Sequence, residues 1–128
     1  MRVRAGTATG SEMARKQNAA SGRQRSASPM EQMREHAPDA AGLMKMLGNE
    51  SRLMILCTLA EGERSVGDLN ALIPLSQSAL SQQLGKLRRN GLVTTRRESQ
   101  TIYYALAHGP VDKVIRLLHD IYCSPAEN

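Results

Sequence analysis

Residues 76–91 read SQSALSQQLGKLRRNG, and this stretch decides the fold. Ser76 can cap a helix by accepting from a backbone N–H one turn on, and Gly91 can end it in a left-handed turn. At about 100° per residue, Leu80, Leu84 and Leu87 fall within about 60° of one another and define an inner side. Ser78, Gln82 and Arg89 lie opposite them, Lys86 next to these and Ser81 to the side, while Gln77 sits in the first turn. Outward amide and hydroxyl groups suit base edges, because glutamine can bond adenine through two atoms and serine can donate or accept. An ordinary solvated helix face can show the same residues, so the neighbours of the helix must decide.

Upstream, Ser65-Val66-Gly67-Asp68 has the pattern of a capping box and opens a short helix carrying Leu69 and Leu72. Pro74 stops it, since proline cannot donate and clashes with the preceding turn. Two helices joined by so short a turn read as a helix–turn–helix, whose second helix enters the major groove. Downstream, Val93–Arg97 and Thr101–Leu106 read as strands rich in β-branched residues and tyrosine, with Glu98-Ser99-Gln100 as the hairpin tip. A hairpin directly after a recognition helix is a wing. Lys86, Arg88, Arg89, Arg96 and Arg97 stand between positions 76 and 97 with no acid among them. Lys86, Arg89, Arg96 and Arg97 are therefore expected on phosphate, which positions a protein without specifying sequence.

The flanks are helical. From Met30 the chain leads to an apolar cluster, Leu43, Met44, Met46 and Leu47, ended by Gly48. Asn49 can cap a second helix, in which Leu53, Leu56, Cys57 and Ala60 recur at spacings of three and four before Gly62. Gly109-Pro110 opens a last helix with proline at its favoured first position. Val111, Val114, Ile115, Leu118, Ile121 and Tyr122 stripe one broad side of it. The expected order is α-α-α-α-β-β-α: a mainly α winged helix–turn–helix with one small hairpin.

The 128 residues suffice for one domain, and their formal charge is +5. The excess is local. Residues 1–29 hold Arg2, Arg4, Arg15, Lys16, Arg23 and Arg25 against Glu12 alone, so residues 30–128 are formally neutral. Residues 1–29 are poor in large apolar side chains and are expected to form a disordered basic tail. Residues 30–128 are expected to form the DNA-binding and dimerisation domain. With no Trp, no Phe and three tyrosines, the chain lacks the stacking platforms of a single-strand binder. It lacks an apolar run long enough to span a bilayer and the apolar core of a signal peptide, so a cytoplasmic location is expected. There is no CxxC motif and no activated Cys–His pair, so an enzyme is not expected.

Leu47-Gly48-Asn49-Glu50-Ser51-Arg52-Leu53, Ser76 through Leu84, Leu87-Arg88, Gly91-Leu92-Val93 and Tyr103-Tyr104 together resemble the ArsR/SmtB family of small dimeric bacterial winged-helix repressors. The resemblance covers about residues 38–123. It implies that Gln77, Ser78, Ser81 and Gln82 face the bases of double-stranded operator DNA, and that the first and last helices form a homodimer interface. Ser65 and Gly67 stand where the family's metal-sensing cysteines would be. His108 and His119 lack partners at matching spacing, and His108 precedes Gly109-Pro110. No metal and no cofactor are expected.

Cys57 and Cys123, 66 residues apart, read individually as a small core residue and a chain-end thiol. Jointly, with Leu118-His119-Asp120-Ile121-Tyr122-Cys123, they resemble the BigR/SqrR/HlyU-type branch, which responds to persulfides. That resemblance implies a thiol switch in which reactive sulfur species or oxidants bridge the two cysteines and lower operator affinity. Two alternatives stay open: a regulator of the NolR type without thiol sensing, and, less favoured, a metal sensor.

Overall fold

A computed structural model describes residues 28–123; of the basic segment 1–29 expected to be a disordered tail, residues 1–27 lie outside the described residues, whereas Ser28 and Pro29 open α1. The elements are α1 (Pro29–Leu47), α2 (Glu50–Ala60), β1 (Arg64–Ser65), α3 (Val66–Leu72), α4 (Gln77–Arg89), β2 (Val93–Glu98), β3 (Thr101–Leu106) and α5 (Pro110–Tyr122). The chain divides into two compact units between Lys45 and Met46.

The first unit holds most of α1. Its start is a capping box one residue earlier than the sequence pattern suggests. The Glu31 N–H donates to Ser28 Oγ at 3.2 Å, and the Ser28 N–H donates to the Glu31 carboxylate at 3.0 Å. Pro29 takes the first helical position, where its missing N–H costs nothing. Met30, Met33 and Met44 are exposed along this helix. Among the described residues no helix is long and apolar enough to cross a membrane.

The second unit packs its helices around an aliphatic core of Leu47, Ile55, Leu56, Leu59, Leu69, Ile73, Leu80, Leu84, Leu87, Leu92, Val93, Val111 and Ile115. Asn49 caps α2 by accepting from the Arg52 N–H at 3.0 Å. The sequence pattern placed Leu53, Leu56, Cys57 and Ala60 inward on α2. In the structure Ile55, Leu56 and Leu59 are buried, and Leu53, Cys57 and Ala60 are half-buried. The helix is apolar nearly all round, so spacing alone did not select its buried side.

The expected element order omitted β1. This two-residue strand pairs antiparallel with β3, Arg64 opposite Tyr104 and Ser65 opposite Tyr103. A segment so short has no period to read. The hairpin itself runs from Val93 opposite Leu106 to Glu98 opposite Thr101. Strand β2 thus reaches one residue further than expected, and the turn is Ser99-Gln100, with Ser99 at φ 57°. The sheet order is β1-β3-β2, which places Tyr103 between the other two strands.

Candidate nucleic-acid interface and thiol site

The recognition helix is fixed at both ends by local hydrogen bonds. At its start Ser76 Oγ accepts from the Ala79 N–H at 3.0 Å. The preceding turn is held by Asn70, whose side-chain amide donates to the Leu75 carbonyl at 2.8 Å. Asn70 carried no signal in the sequence reading, because its role depends on the chain folding back around Pro74. At the end of α4 the Leu92 N–H donates to the Leu87 carbonyl at 2.9 Å and the Gly91 N–H to the Arg88 carbonyl at 3.1 Å. This is a Schellman arrangement, and Gly91 at φ 75° takes the left-handed position that side chains resist. The flanking Leu87 and Leu92 are both buried, so the cap also aims β2 into the core.

Between these ends the helix is cleanly two-sided. Leu80, Leu84 and Leu87 are buried, and Gln77, Ser78, Ser81, Gln82, Lys86, Arg88 and Arg89 are exposed. A Cβ built at Gly85 would come 3.1 Å from the Arg89 guanidinium, so the glycine leaves room for that side chain against the helix. Gln83 is different. It is half-buried, and its Oε1 accepts from Arg52 Nη1 on α2 at 3.1 Å. Sequence reasoning passed over Gln83 because a long-range partner leaves no local pattern.

The two wing arginines differ. Arg97 forms no ion pair among the described residues, whereas the Arg96 guanidinium is occupied. Its Nε and Nη2 donate to Glu63 at 2.7 and 2.8 Å, and its Nη1 donates to Glu98 at 2.8 Å. The guanidinium carbon lies 4.5 Å from the centroid of the Tyr103 ring. The hydrogen bonds from Arg96 hold the Glu63 carboxyl below the usual carboxylate range, and both glutamates raise the Arg96 value further.

The two cysteines lie on helices that pack together, α2 and α5. Both are free thiols. Cys57 is half-buried, and Cys123 is exposed at the C-cap of α5, its N–H donating to the His119 carbonyl at 2.7 Å. Burial pushes the Cys57 thiol up, and the nearby Cys123 and Glu61 add to the rise. A cleft of about 260 Å³ lies against Cys57, lined also by Ala60, Glu61, Arg116, His119 and Asp120. Arg116 is paired with Asp112 at 2.8 Å. Among the described residues no three His, Cys, Asp or Glu side chains come together as a metal ion would need. His108 lies outside α5, which starts at Pro110.

A two-sided helix after a tight turn, followed by a β-hairpin wing, defines the winged helix–turn–helix class of transcriptional regulators. The model of the arsR family of bacterial regulatory proteins matches residues 49–95, from the cap of α2 into the wing. The chain is 49% identical over 94 residues to the transcriptional activator HlyU of Vibrio cholerae, spanning 73% of this chain and 87% of that protein. It is 47% identical over 100 residues to the biofilm growth-associated repressor of Agrobacterium fabrum, spanning 78% and 86%. The crystal structure of the transcriptional repressor BigR from Xylella fastidiosa superimposes with a TM-score of 0.69 at 41% identity, covering 77% of this chain and 98% of that one. The chain belongs to the arsR family.

Proposed function

We propose that the protein is a homodimeric repressor whose operator affinity is set by a Cys57/Cys123 thiol switch. On DNA, Gln77, Ser78, Ser81 and Gln82 read base edges, and Lys86, Arg89 and Arg97 contact phosphate. The relatives' names include both an activator and a repressor. The sign of the output therefore depends on where the dimer sits on DNA, and repression is the reading we adopt.

The observation that carries the switch is geometric: a half-buried thiol on α2 and an exposed thiol closing α5 belong to two helices that pack together. A persulfide RSSH transfers its outer sulfur to one thiolate, giving a protein persulfide and RSH. The second thiolate then attacks the protein-bound sulfur, forming a disulfide and releasing hydrosulfide. The bridge ties α2 to α5. Because α2 also holds α4 through Arg52 and Gln83, a shift of α2 changes the seat of the recognition helix. Couplings of this kind are about 1–3 kcal/mol, or roughly 5–150-fold in affinity.

The test combines persulfide treatment, intact mass and titration of a duplex selected from a random library. Bridged protein is expected to bind at least fivefold more weakly. A Cys57→Ser, Cys123→Ser variant that still responds would sink the switch. In the same titration, Lys86→Ala or Arg89→Ala should weaken all duplexes alike and flatten the salt dependence, whereas Gln77→Ala or Ser78→Ala should relax preference at one position.

A second reading has its own support. Burial keeps the Cys57 thiol protonated, which slows its reaction, and a regulator without thiol sensing would show this. Retained operator affinity after complete bridging would favour it.

A further inference from the structure

Arg96 was expected on phosphate, but its surroundings point elsewhere. The fork formed by Nε and Nη2 is spent on one carboxylate of Glu63, and Nη1 on Glu98. One face of the guanidinium covers Tyr103, the residue directly across from Arg96 in the hairpin and from Ser65 in β1. Glu63 belongs to the link between α2 and β1, and Glu98 ends β2 at the wing tip. One side chain therefore joins three parts of the molecule: the link, the strand that bears it and the tip. One cation between two carboxylates also leaves this cluster net acidic, which repels a phosphate. Arg97 alternates to the other face of the strand, opposite Ile102.

We propose that Arg96 is a positioning residue of the wing and not a phosphate contact. With Glu63, Glu98 and Tyr103 it clamps the hairpin to the α2–β1 link, so that the wing meets the duplex at a fixed attitude. Bidentate pairing and ring stacking both need the planar guanidinium, which an ammonium cannot replace, whereas a phosphate contact tolerates lysine as a point charge. The inference rests on the reading of the chain as a duplex-binding dimer, and it makes an unusual sign prediction. Removing an acid beside a DNA-binding surface normally strengthens binding. If Glu63 acts through the clamp, removing it weakens binding.

The experiment uses the full chain and compares Glu63→Gln, Arg96→Lys and Arg96→Ala with the wild type. Affinity for the selected duplex is measured from low to moderate salt, and hydrogen exchange of the wing amides is followed without DNA. The clamp predicts that Glu63→Gln and Arg96→Lys each weaken binding about three- to tenfold, with salt slopes equal to wild type. It also predicts faster exchange over residues 94–104 in both variants. Three results would overturn it: Glu63→Gln binding equally or more tightly, Arg96→Lys binding like wild type, or Arg96→Ala lowering the slope by about 1.8, the loss of one phosphate contact per protomer of a dimer. If wild type binds no duplex, the reading as a regulator falls, and the exchange rates alone decide whether the clamp holds the wing: unchanged rates refute it.

Discussion

Arg52 on α2 donates to Gln83 on α4 at 3.1 Å, and its Nε donates to the Met46 carbonyl at 2.8 Å. A single guanidinium thus ties the end of α1 and the flank of the recognition helix to the helix that carries Cys57. Hydrogen bonds to charged groups contribute about 1.5–3 kcal/mol each when partly buried. Arg52→Ala is expected to lower unfolding free energy by about 2–3 kcal/mol, and Gln83→Leu by about 1 kcal/mol. The double variant should cost less than the sum of the two, because they share a bond. Urea unfolding of the four proteins gives the coupling directly, and strict additivity would show that the pair is incidental.

Capping makes a sharper local prediction. Ser76 supplies the side-chain acceptor at the start of α4, and Gln77 and Ser78 are the next two residues. Ser76→Ala should destabilise the protein by about 1 kcal/mol, whereas Ser76→Asp should keep the cap and favour the helix dipole. Near DNA the two effects of aspartate separate: stability holds, but the added negative charge weakens duplex binding. Thermal melts and binding titrations on the same samples would show this, and equal stability of Ser76→Ala and wild type would refute the role of the cap.

Much of this was legible in the sequence because it is local. The inner leucines of α4, the caps at Asn49, Ser65 and Ser76, the stops at Gly48 and Gly91, and proline opening α5 each depend on residues within one or two turns. What the sequence hid depends on distance along the chain. Strand β1 exists because Tyr103 and Tyr104 offer it an edge. Asn70, Gln83 and the Glu63–Arg96 pair are defined by partners that no local spacing encodes. Arg96 and Arg97 look interchangeable in sequence, yet strand alternation gives them opposite faces and different partners.

The last helix bears an apolar surface larger than its own core contacts use. Val111 and Ile115 are buried, but Leu117 is 56%, Ile121 59% and Tyr122 79% exposed. Exposed apolar side chains one turn apart mark a surface made for association, and a second copy of this chain fits the proposed dimer. Ile121→Lys or Leu117→Lys should therefore yield monomers at micromolar concentration and reduce affinity for a two-half-site duplex far more than for a single half-site. Sedimentation that stays dimeric for both variants would remove α5 from the interface.

The thiols give a pH prediction whose sign follows from burial. The Cys57 thiol is pushed above its ordinary value, first by burial and then by Cys123 and Glu61. The folded protein thus holds this proton more tightly than the unfolded chain does. Its contribution to stability is complete below the ordinary thiol value, about 8.5, and is lost as pH rises through the higher folded value. Wild type should lose stability on the alkaline side of pH 8.5, and Cys57→Ser should flatten that limb. At neutral pH the exposed Cys123 should alkylate faster than the half-buried Cys57, whose thiolate, the nucleophilic form, is disfavoured by burial. The gap should narrow as pH climbs and Cys57 ionises. In the proposed switch this order would make Cys123 the thiol that meets the sulfur donor and Cys57 the one that resolves it. Time-resolved mass spectrometry of iodoacetamide-treated protein decides the matter, and faster labelling of Cys57 would reverse the assignment.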